Sequence, residues 1–171
     1  MAAAVTPILL VAAGVLCVAA IAKLRKPEPA VRALATLELP ASAAVVRALA
    51  VVELGLGAAC ALDPVRPMTA AIAFVYAGLA LISLALARRQ STCGCFGDAE
   101  SPASALQSAL SAAFAVVSVI ATTNGAHGVG WVLGYSPAVA ATLLIAAGGG
   151  VYATVIAYTE LPRAWAAWSV R

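Results

Sequence analysis

The segment RRQSTCGCFGDAESP, residues 88–102, is a polar break between two long apolar runs. Residues 68–87 precede it and residues 103–121 follow it, and each run has about the 20 residues that a helix needs to cross a bilayer. Its centre, Cys93-Gly94-Cys95-Phe96-Gly97, is a two-cysteine turn whose glycines permit backbone angles that other residues avoid. The segment therefore predicts a loop at a membrane surface between two spanning helices.

The composition is not that of a soluble domain. Hydrophobic residues make up 64% of the 171 residues and charged residues only 10%, with a mean hydropathy of +1.02. Soluble domains carry about 25% charged residues. The net charge of +3 is small and no phosphate-cradling loop is present, so we expect no nucleic-acid partner. The composition predicts an all-α integral membrane protein whose first partner is the lipid bilayer.

Five apolar segments predict a single membrane domain, residues 1–171, built as a four-helix transmembrane bundle plus a fifth span. After the first span, residues 28–39 carry charges at Glu28, Arg32 and Glu38 between apolar residues. That pattern is typical of a short amphipathic helix in the membrane interface. The predicted spans are about residues 7–24, 41–62, 68–87, 103–121 and 137–158.

The basic residues are shared unevenly between the two predicted membrane faces. Only Arg66 falls on the face opposite the cysteine turn, and Arg47 lies within a span. The positive-inside rule then predicts an amino terminus outside the cell membrane and a cysteine turn at the cytoplasmic face. Disulfide chemistry argues the other way, because it belongs to the oxidising side of a membrane. The basic residues on the face of the turn are Lys23, Arg25, Lys26, Arg32, Arg88, Arg89, Arg163 and Arg171.

Three short motifs resemble the methylamine-utilisation protein MauE group of the DoxX-like membrane proteins. They are Lys23-Leu24-Arg25, Val52-Glu53-Leu54 with Gly55, and Cys93-Gly94-Cys95-Phe96-Gly97. The resemblance implies a redox-associated membrane protein that assists disulfide formation or the maturation of a partner enzyme, alongside a thioredoxin-like protein. It also implies an Arg-Asn pair early in the fourth span, where this chain reads Leu106-Gln107-Ser108. A quinone is possible only by fold-level analogy with the quinone-linked disulfide oxidases of the vitamin K epoxide reductase type, so the cofactor stays unassigned.

Cys93 and Cys95 are the predicted catalytic residues, acting as a reversible dithiol–disulfide pair. A disulfide that closes over one residue is small, and strained, exposed disulfides tend to be the labile or catalytic kind. No metal site is predicted, because the single histidine, His127, falls in a loop on the opposite face. Cys17 and Cys60 are expected to pack as small apolar side chains, which is the usual state of buried cysteine.

The turn has three predicted supporting residues of its own. Arg88 and Arg89 lie just upstream, where a cation favours the thiolate, although the acidic residues Asp98 and Glu100 oppose that effect. Phe96 is expected to anchor the turn to the bilayer. The alternative function is a non-catalytic membrane anchor or assembly subunit of a larger complex, in which the cysteine turn is only structural.

Glu53 is a further supporting residue, placed by the spacing near the middle of the second span. An ionisable group at that depth is costly and is a functional candidate by default. The structural alternative, which we favour, is a protonated carboxyl group that hydrogen-bonds between helices. Tyr76 is expected at a similar depth on the neighbouring span, counting 1.5 Å per residue from the shared turn.

Overall fold

The computed structural model describes residues 2–92, 94, 96 and 103–169, without the side chains of residues 162, 163 and 165–169. The predicted catalytic residues Cys93 and Cys95 lie outside the described residues, as do Asp98 and Glu100. Five of the described helices are long and apolar enough to cross a membrane, which confirms the predicted all-α membrane fold. In chain order the helices are α1 (Ala2–Arg25), α2 (Glu28–Thr36), α3 (Ala43–Leu62), α4 (Arg66–Arg88), α5 (Ala105–Asn124), α6 (Val129–Leu133) and α7 (Pro137–Ser169).

Four of the spans form the core of the bundle and the fifth lies at its edge. The most extensive contacts join α4 to α5 and α1 to α3, and α1 also packs on α5 and α7. In the apolar window of α1, 44% of the residues are buried, against 6% in the window of α7. The fifth helix therefore has most of its surface outside the bundle.

Two helices extend well beyond the boundaries expected from the sequence, whereas the other boundaries differ by no more than three residues. α1 begins at Ala2 rather than at Pro7, which lies within its second turn. α7 continues to Ser169, beyond its apolar window, which ends at Leu161. Hydropathy marks where a segment is apolar, whereas the helix extends as far as the backbone hydrogen bonds do, so the predicted segments are shorter.

Small residues bring α1 and α3 into close contact. A Cβ atom at Gly57 would lie 2.9 Å from the carbonyl oxygen of Ala13 and 2.8 Å from Sγ of Cys17. Close approach through small residues is the usual way in which helices associate in membranes. Cys17 and Cys60 are both free thiols, and Cys60 is buried in the core between α1 and α4. This close contact sets the register between α1 and α3, which brings Lys23 of α1 next to Glu53 of α3.

One end of the bundle, here named the hydroxyl end, is closed by uncharged groups. The loop before α6 packs so closely that a Cβ atom at Gly128 would overlap the carbonyl group of Leu62. The backbone N–H of His127 donates to Oγ1 of Thr6 over 3.0 Å. Beside them, the Thr122 hydroxyl of α5 meets the Thr69 hydroxyl of α4 at 2.9 Å. These short-range contacts between uncharged groups hold the hydroxyl end together.

Candidate functional site

The opposite end of the bundle, here named the cysteine end, is formed by the last turns of α1 and α4, by α2 and by the residues around the cysteine turn. Arg89, just after α4, donates from its guanidinium group to the carbonyl oxygen of Thr36, the last residue of α2. The same group lies 4.0 Å from Oε1 of Glu38. Because the carbonyl end of a helix attracts cations, Arg89 fastens α2 to α4. Arg88, in the last turn of α4, is exposed.

Gly94, the central residue of the two-cysteine motif, rests on the first turn of α2. Its φ of 63° lies in the left-handed region, and the residue is buried. A Cβ atom there would lie 2.5 Å from the carbonyl oxygen of Pro29 and 2.9 Å from the amide nitrogen of Ala30. Only glycine meets both conditions, the positive φ and the close backbone contact. The amphipathic helix α2 is therefore the platform on which this part of the turn sits.

Phe96 holds the other side of the motif by packing inward. Its ring lies 5.3 Å from the ring of Tyr158 on α7 at an interplanar angle of 54°, and it lines a cavity of the bundle. The sequence predicts that this ring anchors the turn to the bilayer. The ring packs on the core instead, because Tyr158 offers it an aromatic partner there.

The segment that carries the motif leaves and rejoins the bundle at one point. The amide of Ala103 donates to the carbonyl oxygen of Ser91 over 2.9 Å, and the Ser91 hydroxyl lies 3.5 Å from that of Thr36. The chain segments that enter and leave the motif are thus hydrogen-bonded to each other, next to the end of α2.

A buried ion pair lies below this loop. Nζ of Lys23 on α1 is 2.5 Å from Oε2 of Glu53 on α3, and the two side chains are 5% and 2% exposed. The pair unites two of the motifs on which the family resemblance rests. The sequence favours a protonated carboxyl group at Glu53 that hydrogen-bonds between helices. In the structure the partner of Glu53 is instead the amino group of Lys23. The Tyr76 hydroxyl, expected near this depth, donates to the carbonyl oxygen of Ala12 over 2.6 Å.

Sequence reasoning counted Lys23 as a surface charge and missed its role in the core. A signal was present in the helical periodicity of α1. Leu9, Ala12, Leu16 and Ala20 are all buried on one stripe of that helix, and Lys23 continues the stripe at the same spacing. A lysine on the buried face of a spanning helix needs a partner, and Glu53 was the acidic residue without one.

Gln107 is a second polar residue that the sequence did not assign. It is buried, and its Oε1 accepts from the amide of Ser104 over 3.1 Å, which completes a capping box at the start of α5. Its Nε2 donates to the carbonyl oxygen of Tyr158 over 2.7 Å. At the place where the resemblance led us to expect an Arg-Asn pair, this chain therefore has an uncharged link between α5 and α7.

Of three comparisons with known proteins, the one with family models agrees with the three motifs. A search of the curated proteins and a search of the solved structures each found no match. The family model described as methylamine utilisation protein MauE matches residues 1–124, which include α1 to α5 and the whole cysteine end except for α7. The match covers well over half of the chain, and the chain is a multi-pass membrane protein that belongs to the MauE family.

Proposed function

We propose that this chain is a membrane-embedded thiol–disulfide redox protein of the cell membrane. In this proposal Cys93 and Cys95 exchange electrons with a partner protein and so assist its disulfide formation or maturation. The partner is a thioredoxin-like protein or an enzyme used in methylamine utilisation, the process for which the family is named. The exchange moves two electrons, because the two thiols of one protein become a disulfide as the disulfide of the other becomes two thiols.

The observation that carries the proposal is the way in which the motif is held. Gly94 and Phe96, the described residues on either side of Cys95, are fixed against α2 and against the core. The glycine is required by its φ and by its contact, and the phenylalanine lines a cavity of the bundle. A loop that served only to join two spans would need neither feature. Fixed neighbours orient reactive groups better than a free loop does.

Trapping the thiols in living cells tests the proposal. Rapid acidification followed by alkylation with a mass tag reports how much of the Cys93–Cys95 pair is oxidised. We expect a mixture that shifts with growth conditions, and we expect Cys93→Ser and Cys95→Ser each to abolish the shift. The variant that lacks the resolving thiol should also trap a mixed disulfide with the partner. The matched control is the Cys17→Ala, Cys60→Ala double variant, which should cycle as the parent does.

Thiols that stay reduced under every condition, together with fully functional serine variants, would contradict the redox proposal. The chain would then be a non-catalytic membrane anchor or assembly subunit. The mostly lipid-facing α7 would be the surface to examine first, because only 6% of its apolar window is buried within the chain.

We also propose that the amino terminus lies outside and the cysteine end at the cytoplasmic face. The buried Lys23 no longer counts as a surface charge, but Arg25, Lys26, Arg32 and Arg88 at this end are exposed. The positive-inside rule therefore still favours this orientation. Reporter fusions at the two ends test it, and alkaline phosphatase activity from a fusion after Arg171 would reverse it.

A further inference from the structure

A cavity at the cysteine end, here named the α2 cavity, lies between α2, α3 and α4. It has a volume of about 430 Å³, its open side included, and α2 contributes Ala30 and Ala33 to its wall. Among the described residues of the wall, the polar side chains are those of Lys23 and Glu53. The remaining wall residues are aliphatic, namely Leu34, Val46, Leu49, Leu79 and Ile82. The α2 cavity is therefore an apolar space with the ion pair as its polar group.

The burial of the wall residues shows on which side the α2 cavity opens. Lys23, Val46 and Glu53 are buried. Leu49 on α3 is 48% exposed, and Ile82 on α4 is half-buried. The ion pair therefore lies at the inner end, and the mouth lies between α3 and α4. Both helices are long and apolar enough to cross a bilayer, so a molecule dissolved in the bilayer can enter by this mouth.

The ion pair has hydrogen-bonding capacity that its own contact leaves unused. Nζ of Lys23 carries three N–H groups, and its hydrogen-bond partner within the described part of the chain is Oε2 of Glu53, at 2.5 Å. A carboxylate offers about four lone-pair sites, and the contact with Lys23 occupies one of them. The two side chains are only 5% and 2% exposed. A group in the α2 cavity can therefore accept a hydrogen bond from Lys23 and donate one to Glu53.

Stability alone does not explain an ion pair in this place. Removing two charges from water is costly, and an apolar pair of similar volume is often as stable or more stable. An ionisable residue within a membrane is for that reason a functional candidate. We infer that the α2 cavity binds a lipid with a single apolar chain and an uncharged hydroxyl head, whose hydroxyl group contacts Lys23 and Glu53.

The chemistry of the pair selects the head group. The ammonium and carboxylate charges cancel, so a charged head would leave a net charge in a space of low polarity, which is costly. A carbonyl or ether oxygen accepts from Lys23 and has no hydrogen to donate to Glu53, whereas a hydroxyl group does both. The aliphatic wall takes the chain of the lipid. The site goes beyond the proposed redox function, because it uses neither cysteine.

Photolabelling of the full-length protein in phosphatidylcholine nanodiscs tests the inference. The probe is cetyl alcohol with a diazirine group in its chain, and mass spectrometry locates the labelled peptides. We expect saturable labelling of the segments around Leu49 and Ile82. Unlabelled cetyl alcohol should compete about tenfold more strongly than its methyl ether or cetyl sulfate, because a hydrogen bond to a charged group contributes about a factor of ten or more in affinity.

Substitutions separate the binding of the chain from the binding of the head. Ala33→Leu fills the α2 cavity and should abolish the saturable labelling. Ala35→Leu, at an exposed position of the same helix, is the matched control and should leave the labelling unchanged. In the Lys23→Met, Glu53→Leu double variant the probe should still bind, but cetyl alcohol and its methyl ether should compete equally.

The head-group series on the parent protein needs no substitution, so it decides the matter even where a variant fails to fold. Equal competition by the three lipids, or labelling that does not saturate, would overturn the inference, because any spanning helix makes such unselective contacts with lipid. Labelling that Ala33→Leu leaves unchanged would overturn it as well. Failure of the proposed redox function shows separately, as a cysteine pair that never changes oxidation state in cells.

Discussion

The two ends of the bundle are built on different principles. At the hydroxyl end, Gly128 meets the Leu62 backbone and Thr122 meets Thr69, and every named contact is uncharged. At the cysteine end, a buried ion pair, two cavities and an arginine clasp lie within a few turns of one another. Tight, neutral contacts favour a single rigid arrangement, whereas cavities and buried charges are costly to maintain. The contrast separates an end held by tight, uncharged contacts from an end that combines buried charge with cavities, and the second is the end that the proposed redox function uses.

The largest expected effect comes from removing one member of the ion pair. Glu53→Leu should lower the free energy of unfolding by about 3–5 kcal/mol, because it leaves the ammonium group of Lys23 buried without a counter-charge. The Lys23→Met, Glu53→Leu double variant should recover most of that loss. Denaturant unfolding in detergent measures both. A double variant as unstable as the single one would mean that the pair itself stabilises the fold.

At the hydroxyl end the most damaging change should be a single methyl group. Gly128→Ala would place a Cβ atom on the Leu62 carbonyl group, and overpacking of this kind costs about 1–3 kcal/mol. Gly130→Ala is the control two residues away, since a Cβ atom there meets nothing within 4 Å. Thermal unfolding should separate the two variants. Equal melting temperatures would show that the hydroxyl end can accommodate a Cβ atom at Gly128 without loss of stability.

The corresponding change at the cysteine end should affect activity more than stability. Gly94→Ala forces a side chain into the left-handed region, at about 1–2 kcal/mol, and against the Pro29 carbonyl group. We expect disulfide cycling to be lost completely, whereas the melting temperature should fall by only about 2–8 °C. Gly55→Ala, in open space on α3, should leave both unchanged. A Gly94→Ala variant that cycles normally would show that the turn needs no fixed backbone.

The smallest expected effect is the loss of one hydroxyl group at the hydroxyl end. Thr122→Val removes the hydrogen bond to Thr69 across α4 and α5, and such bonds within membranes average about 0.6 kcal/mol. Denaturant unfolding of Thr122→Val beside Glu53→Leu then compares the two ends directly. A loss at Thr122 as large as that at Glu53 would erase the distinction between them.

The sequence alone predicted the spans and the interfacial helix well, for a physical reason. A bilayer demands long apolar helices, so hydropathy reports them directly, and the polar break at residues 88–102 falls between the end of α4 at Arg88 and the start of α5 at Ala105. The unusual backbone at Gly94 was also foreseeable, because only glycine adopts it freely.

The contacts between distant elements could not be predicted in the same way. That Lys23 meets Glu53 depends on which helices are neighbours and on the register set by Gly57. The contact of Gly94 with α2 depends on the position of α2, which the hydrogen bond from Arg89 to Thr36 helps to fix. Both are properties of the assembled bundle. A charge count assigns Lys23 to the surface, and only the buried stripe of α1 argues otherwise.

The Lys23–Glu53 pair also constrains how this family can evolve. Loss of either charge by itself passes through a chain with an uncompensated buried ion, whereas loss of both together leads to an apolar pair of ordinary stability. Single substitutions should therefore be purged and paired ones retained, so positions 23 and 53 should covary among relatives.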